Sequence, residues 1–207
     1  MDWQRELLGY PERRTVLIYP KSLAGFTLIE LMIAIAIIGI LLVAGFPEMF
    51  AWIQNTQIRT AAESISNGLQ LARGEAVRRN TRIEFVLTNA DPIAANVPTL
   101  APTNSGPHWV VRNFQTAGYT AADFVQGGGT YSSPNAVINS GDATIVFNGL
   151  GRTDLVAADT IQVTNPKGGA CFALSGPMRC LNIVVQTGGQ IRMCDPAITT
   201  AGYTRKC

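Results

Sequence analysis

The first hydrophobic block of the chain is long and almost free of charge. Residues 26–46 read FTLIELMIAIAIIGILLVAGF, with Glu30 the only ionisable side chain. Roughly 21 residues at about 1.5 Å each span about 30 Å, the hydrocarbon thickness of a bilayer, so a transmembrane helix is predicted. Pro47 lacks an amide hydrogen and is expected to kink this helix or loosen it. Beyond it, over 49–79, the pattern becomes amphipathic. Ile58, Ala61, Ile65, Leu69, Ala72 and Ala76 recur every three or four residues as one apolar stripe, while Arg59, Glu63, Arg73, Glu75 and Arg78 fall mostly elsewhere on the wheel. A helix from Phe26 to about Asn80 would be on the order of 80 Å long. Its second half needs a surface to pack on, most simply a sheet.

Short runs rich in β-branched and aromatic residues follow, at 82–88, 109–114, 143–147, 160–164, 181–186 and 190–194. Thr187-Gly188-Gly189 between the last two signals a tight hairpin. Residues 89–107, rich in Pro, Ala and Asn, read as a long loop. Gly127-Gly128-Gly129 is expected to begin another loop, and no helix signal follows it that would make a phosphate cradle. No internal repeat is evident.

Composition narrows the class. The 207 residues include 20 glycines, 14% charged and 47% hydrophobic residues, which suits a globular strand-rich domain with a membrane segment and not a disordered chain. A formal net charge of +2 gives no global field that calls for nucleic acid. Arg13, Arg14 and Lys21 precede the apolar block, with no acid between Glu12 and Glu30. The positive-inside rule then predicts a cytoplasmic N-terminus and an exported remainder. A secretory signal peptide would have a shorter apolar region and small residues at a cleavage site after it. A carboxylate inside a membrane span is costly, so Glu30 demands a partner.

No catalytic set is found. His108, the only histidine, follows Gly106-Pro107 and reads as a partly exposed residue at a strand edge. No carboxylate pair has a spacing for acid–base work, and nothing calls for a cofactor. Cys171, Cys180, Cys194 and Cys207 sit late in an exported chain, which favours two disulfides over zinc, whose sites prefer CxxC pairs. A turn at Ser175-Gly176-Pro177 would place Cys171 opposite Cys180, leaving Cys194 with Cys207. The other two connectivities remain open. Each short loop would contribute roughly 2–3 kcal/mol. Two basic groups stand out: Lys167, Arg179, Arg192, Arg205 and Lys206 against the single acid Asp195, and Arg73, Arg78, Arg79 and Arg82 around Glu75. Either could contact phosphates; a solvated basic face is the plainer reading.

The run Lys21-Ser-Leu-Ala-Gly25-Phe26-Thr-Leu-Ile-Glu30-Leu-Met resembles the processing site of type IV prepilins and type II secretion pseudopilins. The resemblance implies an α+β pilin fold, a long N-terminal helix packed on an antiparallel sheet domain. It implies a leader, 1–25, removed by prepilin peptidase between Gly25 and Phe26, and N-methylation of Phe26. Residues 26–48 would form the transmembrane and assembly half of the helix, and 49–207 a periplasmic globular domain. Glu30 matches the family's glutamate, and Gly39 and Pro47 fall where many members carry glycine and proline. Cleavage creates an amine at Phe26 that a neighbour's Glu30 would neutralise; two charges costly alone become tolerable as a pair.

Further along, Leu69-Gln-Leu-Ala-Arg-Gly-Glu-Ala-Val-Arg78, Phe147-Asn-Gly-Leu-Gly-Arg152, Arg179-Cys180-Leu-Asn-Ile-Val-Val and Gly189-Gln-Ile-Arg-Met-Cys194-Asp-Pro resemble the H-type group that includes FimU and FimT. This implies a minor pilin of a type IV pilus that helps prime or assemble the filament. It would sit in the bacterial inner membrane as a single-pass protein, with other minor pilins and the major pilin as partners. Two alternatives stand beside it: an H-type pseudopilin of a type II secretion system, and a DNA-binding minor pilin for transformation. FimT-type pilins act in DNA uptake through a Gly-Arg-x-Arg motif in the tail. Here the tail reads Gly202-Tyr-Thr-Arg205-Lys206-Cys207, without the first arginine, so Arg192, Arg205 and Lys206 are the DNA-binding candidates.

Overall fold

The computed structural model describes residues 25–207. The expected leader up to Ala24, with Arg13, Arg14 and Lys21, lies outside the described residues, as do the side chains of 44–48, Pro47 among them. The chain divides into two compact units, one ending at Val43 and the other Ala44–Cys207. Helix α1 (Leu28–Arg79) contributes to both, and its helical assignment continues through position 47.

In the first unit the described side chains of α1 are apolar apart from Glu30 and exposed all round, from Leu28 and Ile29 to Leu42 and Val43. Among the described residues no helix is long and apolar enough to cross a membrane. The expected span 26–46 runs on into the positions whose side chains are not described.

In the second unit the amphipathic stripe is buried as its period requires. Ile58, Ala61, Ile65, Leu69, Ala72 and Ala76 are fully buried. They meet two antiparallel four-stranded sheets, ordered β3-β2-β1-β5 and β4-β6-β7-β8. The first sheet comprises β1 (Ile83–Thr88), β2 (His108–Asn113), β3 (Phe124–Gly129) and β5 (Thr144–Phe147). The second comprises β4 (Val137–Asn139), β6 (Asp159–Thr164), β7 (Leu181–Val185) and β8 (Ile191–Cys194). Phe85, Trp109, Ile145 and Phe147 of one and Ile138, Ile161, Val163, Ile183 and Val185 of the other share a single core with the helix.

The helix ends in Asn80, whose φ of 48° is left-handed, a conformation asparagine tolerates. The Thr81 amide then returns to the Ala76 carbonyl, and Arg78 and Arg79 in the last turn suit the negative end of the helix dipole.

Every residue of β1 is buried, unlike the alternation expected of a sheet with one wet face. The outer face of the first sheet is covered by the 89–107 segment, which contains a 3-10 helix at Ala94–Thr99. Val86, Val97, Leu100 and Val110 form a second small core there, with Tyr119 and Phe124 against it. Within it Glu84 and Arg112, opposite each other in the β1–β2 register, form a buried pair at 2.7 Å. The Tyr119 hydroxyl donates to the same carboxylate oxygen, and the Arg112 guanidinium lies 3.4 Å over the Tyr119 ring. Burial and that hydrogen bond raise the Tyr119 pKa.

One expectation needs correction. Gly127-Gly128-Gly129 is no loop; it forms the end of β3, paired with Val110, Trp109 and His108. Glycine is needed because a Cβ at 127 would strike the Pro92 backbone and one at 128 the Trp109 indole. A run without side chains carries no strand signal, so periodicity misses it. His108 is the first residue of β2 and half-buried, as expected; β2 is an inner strand, and the imidazole centroid lies 4.8 Å from that of Tyr131. The short β4 was also not foreseen.

The Phe147-Asn-Gly-Leu-Gly-Arg152 run ties the layers together. Asn148 Oδ1 accepts from the Leu150 and Arg152 amides, and Gly151 turns with φ 73°. The foreseen β7–β8 hairpin packs on it: Thr153 donates through its amide and hydroxyl to the Thr187 carbonyl, and a Cβ on Gly189 would strike the Gly151 carbonyl.

Candidate functional site

Of the predicted processing motif, Gly25 onward is described. Among the described residues nothing lies within 4 Å of where a Cβ on Gly25 would be, and Phe26 is 85% exposed. Residues 25–27 ahead of α1 have no regular secondary structure. Glu30 lies in the first turn, where its charge suits the positive helix end. Its amide donates to Thr27 Oγ1 at 3.3 Å, so Thr27 caps the helix three residues ahead of the glutamate. The spacing Thr-x-x-Glu is a capping-box signature readable in the sequence, and Thr27 is the residue that sequence reasoning passed over. Its effect is to start the helix just after the predicted cut. Among the described residues Glu30 has no ion-pair partner.

The cysteines lie in the second unit. Cys171 is bridged to Cys180 across Cα atoms 5.4 Å apart, and Cys194 to Cys207 across 5.1 Å. No thiol is left for a metal. The first bond closes the turn containing Ser175, whose φ is 62°. The second draws the tail back onto the end of β8. There the Asp195 amide donates to the Arg205 carbonyl at 2.7 Å, and Arg192 Nη1 donates to the Lys206 carbonyl at 2.9 Å.

The three DNA-binding candidates therefore come together in space but not in role. Arg192 is half-buried and holds the tail, whereas Arg205 and Lys206 are exposed. The second basic group is partly neutralised, with two carboxylates set against its four arginines. Arg78 and Arg79 both reach Glu75, and the Arg78 hydrogen bond holds its carboxyl below the usual range. Arg82 pairs with Asp154 at 3.5 Å and lies over the Phe114 ring.

Residues 61–189 match the family model of the type II transport protein GspH, and residues 21–46 match the prokaryotic N-terminal methylation motif. No curated protein matches the chain. Among solved structures it is similar to the type IV minor pilin FimU of Pseudomonas aeruginosa, with a TM-score of 0.51 at 14% identity over 69% of this chain and 91% of that one. It is also similar to the minor pseudopilin EpsH from the Type 2 Secretion System of Vibrio cholerae, with a TM-score of 0.43 at 10% identity over 69% and 99%. For E. coli GspH the TM-score is 0.44 at 11% identity over 72% and 94%. At these identities the likeness to FimU is one of fold.

Proposed function

We propose, for a chain that belongs to the GspH family and is thereby an H-type minor pilin or pseudopilin, that it is a structural subunit which helps prime or assemble a type IV pilus. The observation that carries this is the surface of α1 before Val43. Leu28, Ile29, Leu31, Met32, Ile33, Ile35, Ile37, Ile38, Ile40, Leu41, Leu42 and Val43 are each more than half exposed. A helix apolar on every side but for Glu30 has to be covered, by lipid before assembly and by the helices of neighbouring subunits after it. Prepilin peptidase cuts between Gly25 and Phe26, the new Phe26 amine is methylated, and 26–48 anchors the protein in the inner membrane with 49–207 in the periplasm. Glu30 then meets the Phe26 amine of a neighbour and sets its axial register. The role is assembly, not catalysis.

The test separates charge from capping. Glu30→Gln keeps a residue suited to the third helical position but removes the charge, whereas Glu30→Ala removes both. Both variants are expected to be processed and inserted yet to lower filament number alike. Full assembly by Glu30→Gln would show that Glu30 serves only the helix start. Substitution of Gly25 is expected to leave an unprocessed band on a gel.

The DNA reading has less behind it. Arg192 is engaged by the Lys206 carbonyl, leaving Arg205 and Lys206, too few cations for the multi-phosphate contact that gives steep salt dependence. The secretion-system alternative predicts the same Glu30 phenotype with secretion in place of piliation as the readout.

A further inference from the structure

A groove of about 340 Å³ in the second unit lies between α1 and the β7–β8 strands. Trp52, Leu181 and Met193 give it an apolar lining, and Arg59, Arg179 and Arg205 rim it. Trp52 is 69% exposed and continues the exposed apolar run of Met49, Phe50 and Ile53, whereas Ile58, Ile65 and Leu69 further along α1 are fully buried.

The charges on the rim are unequal. Arg59 already holds Glu63 at 2.9 Å, and Arg179 holds Asp195 at 3.3 Å. The second Asp195 oxygen accepts from the Ala197 amide, so this carboxylate is satisfied within the fold. Arg205 has no side-chain partner among the described residues. Its backbone is fixed by the Asp195 amide and by the nearby Cys194–Cys207 bond, which hold one free guanidinium at the mouth of an apolar groove.

The geometry points to this groove as the docking site for an apolar segment of a neighbouring pilin-type subunit that carries one carboxylate, received by Arg205. This rests on the assembly reading above. The charge count selects the occupant. A nucleic acid presents a phosphate at every nucleotide and is matched by a row of free cations. Here two of three guanidinia are already paired and one is free. A single carboxylate flanked by apolar side chains complements that pattern, and a planar guanidinium binds it in a bidentate manner. Partial desolvation by Trp52 and Met193 makes such a contact stronger than an exposed ion pair.

The experiment uses the full chain in cells that assemble the filament, with p-benzoylphenylalanine in place of Trp52. The expected result is a photo-crosslink to another pilin-type subunit, mapped to an apolar stretch with a single Asp or Glu. Arg205→Glu is expected to lower its yield about tenfold, Arg205→Lys to retain most of it, and reversal of the mapped carboxylate to Lys to restore it in Arg205→Glu. Intact disulfides on a non-reducing gel report that the variants fold. Crosslinking to nucleic acid, to no subunit, or at a yield indifferent to Arg205→Glu overturns the proposal. Loss of assembly in Glu30→Gln is scored separately, so the groove can fail while the assembly reading stands.

Discussion

Gly68 lies on α1 where two aromatic rings close over the helix. A Cβ there would sit 2.8 Å from Trp109 Cδ2 and 2.9 Å from Phe85 Cε2. Neither ring is free to retreat. The Trp109 indole donates to Ser64 Oγ, which donates in turn to the Gly129 carbonyl, each at 3.1 Å. Its ring is also packed against Gly128. Gly68→Ala is therefore expected to destabilise the fold although alanine is the better helix former. Overpacking costs about 1–3 kcal/mol and the propensity gain is at most about 1 kcal/mol. Denaturant unfolding of the variant checks the sign, and a more stable Gly68→Ala would refute this account of the contact. The sequence shows a glycine in a helical pattern at this position; it does not show the rings that require it.

Among elements, α1 is held on the second sheet by polar contacts as well as by its apolar stripe. Asn165, just past β6, is fully buried. Its Nδ2 points to the Gln54 and Gln57 side-chain oxygens, and Asn135 donates to the same Gln54 oxygen. Its Oδ1 accepts from the Gly168 amide and its carbonyl from the same residue, so one side chain both shapes the loop and grips the helix. Nearby, the Arg179 amide donates to Asn55 Oδ1 at 2.7 Å. Asn165→Ala is expected to cost about 1–3 kcal/mol, because it removes the hydrogen bonds that a fully buried side chain makes to the helix and to the Gly168 amide. Asn165→Asp is expected to destabilise as well, since the carboxylate keeps the Gly168 amide as a donor but can no longer donate to the Gln54 and Gln57 oxygens, whose amides must turn to meet it. A loss below about 0.5 kcal/mol for Asn165→Ala, read by thermal or denaturant unfolding, would show that the apolar stripe alone holds the helix. Within the elements, the stripe and six of the eight strands were legible because their side chains alternate or recur. Strand β3 was not, because its glycines carry no side-chain signal.

For the whole molecule, the two disulfides serve different ends. Cys171–Cys180 closes the turn beside the Asn55 and Asn165 contacts, and Cys194–Cys207 fastens the tail. Replacing Cys194 and Cys207 together by Ser is expected to cost roughly 2–3 kcal/mol and to expose amides over 195–207 to hydrogen exchange. The β6–β7 ladder should keep its protection, because Ile161, Val163, Ile183 and Val185 stay fully buried. Loss of protection there as well would mean that the tail supports the sheet.

The sequence by itself determined the helix, most of its partner strands and the motif around Gly25, Phe26 and Glu30, because each is written as a local period or a run of adjacent residues. Only the tertiary structure decided the division into two sheets, the buried Glu84–Arg112 pair, and which arginines remain free. Those depend on residues far apart in the chain, brought opposite one another by strand register. Arg192, Arg205 and Lys206 look alike as basic residues in a tail. Their difference appears only once the Cys194–Cys207 bond folds that tail back, placing a carbonyl on Arg192 and leaving the Arg205 side chain without one.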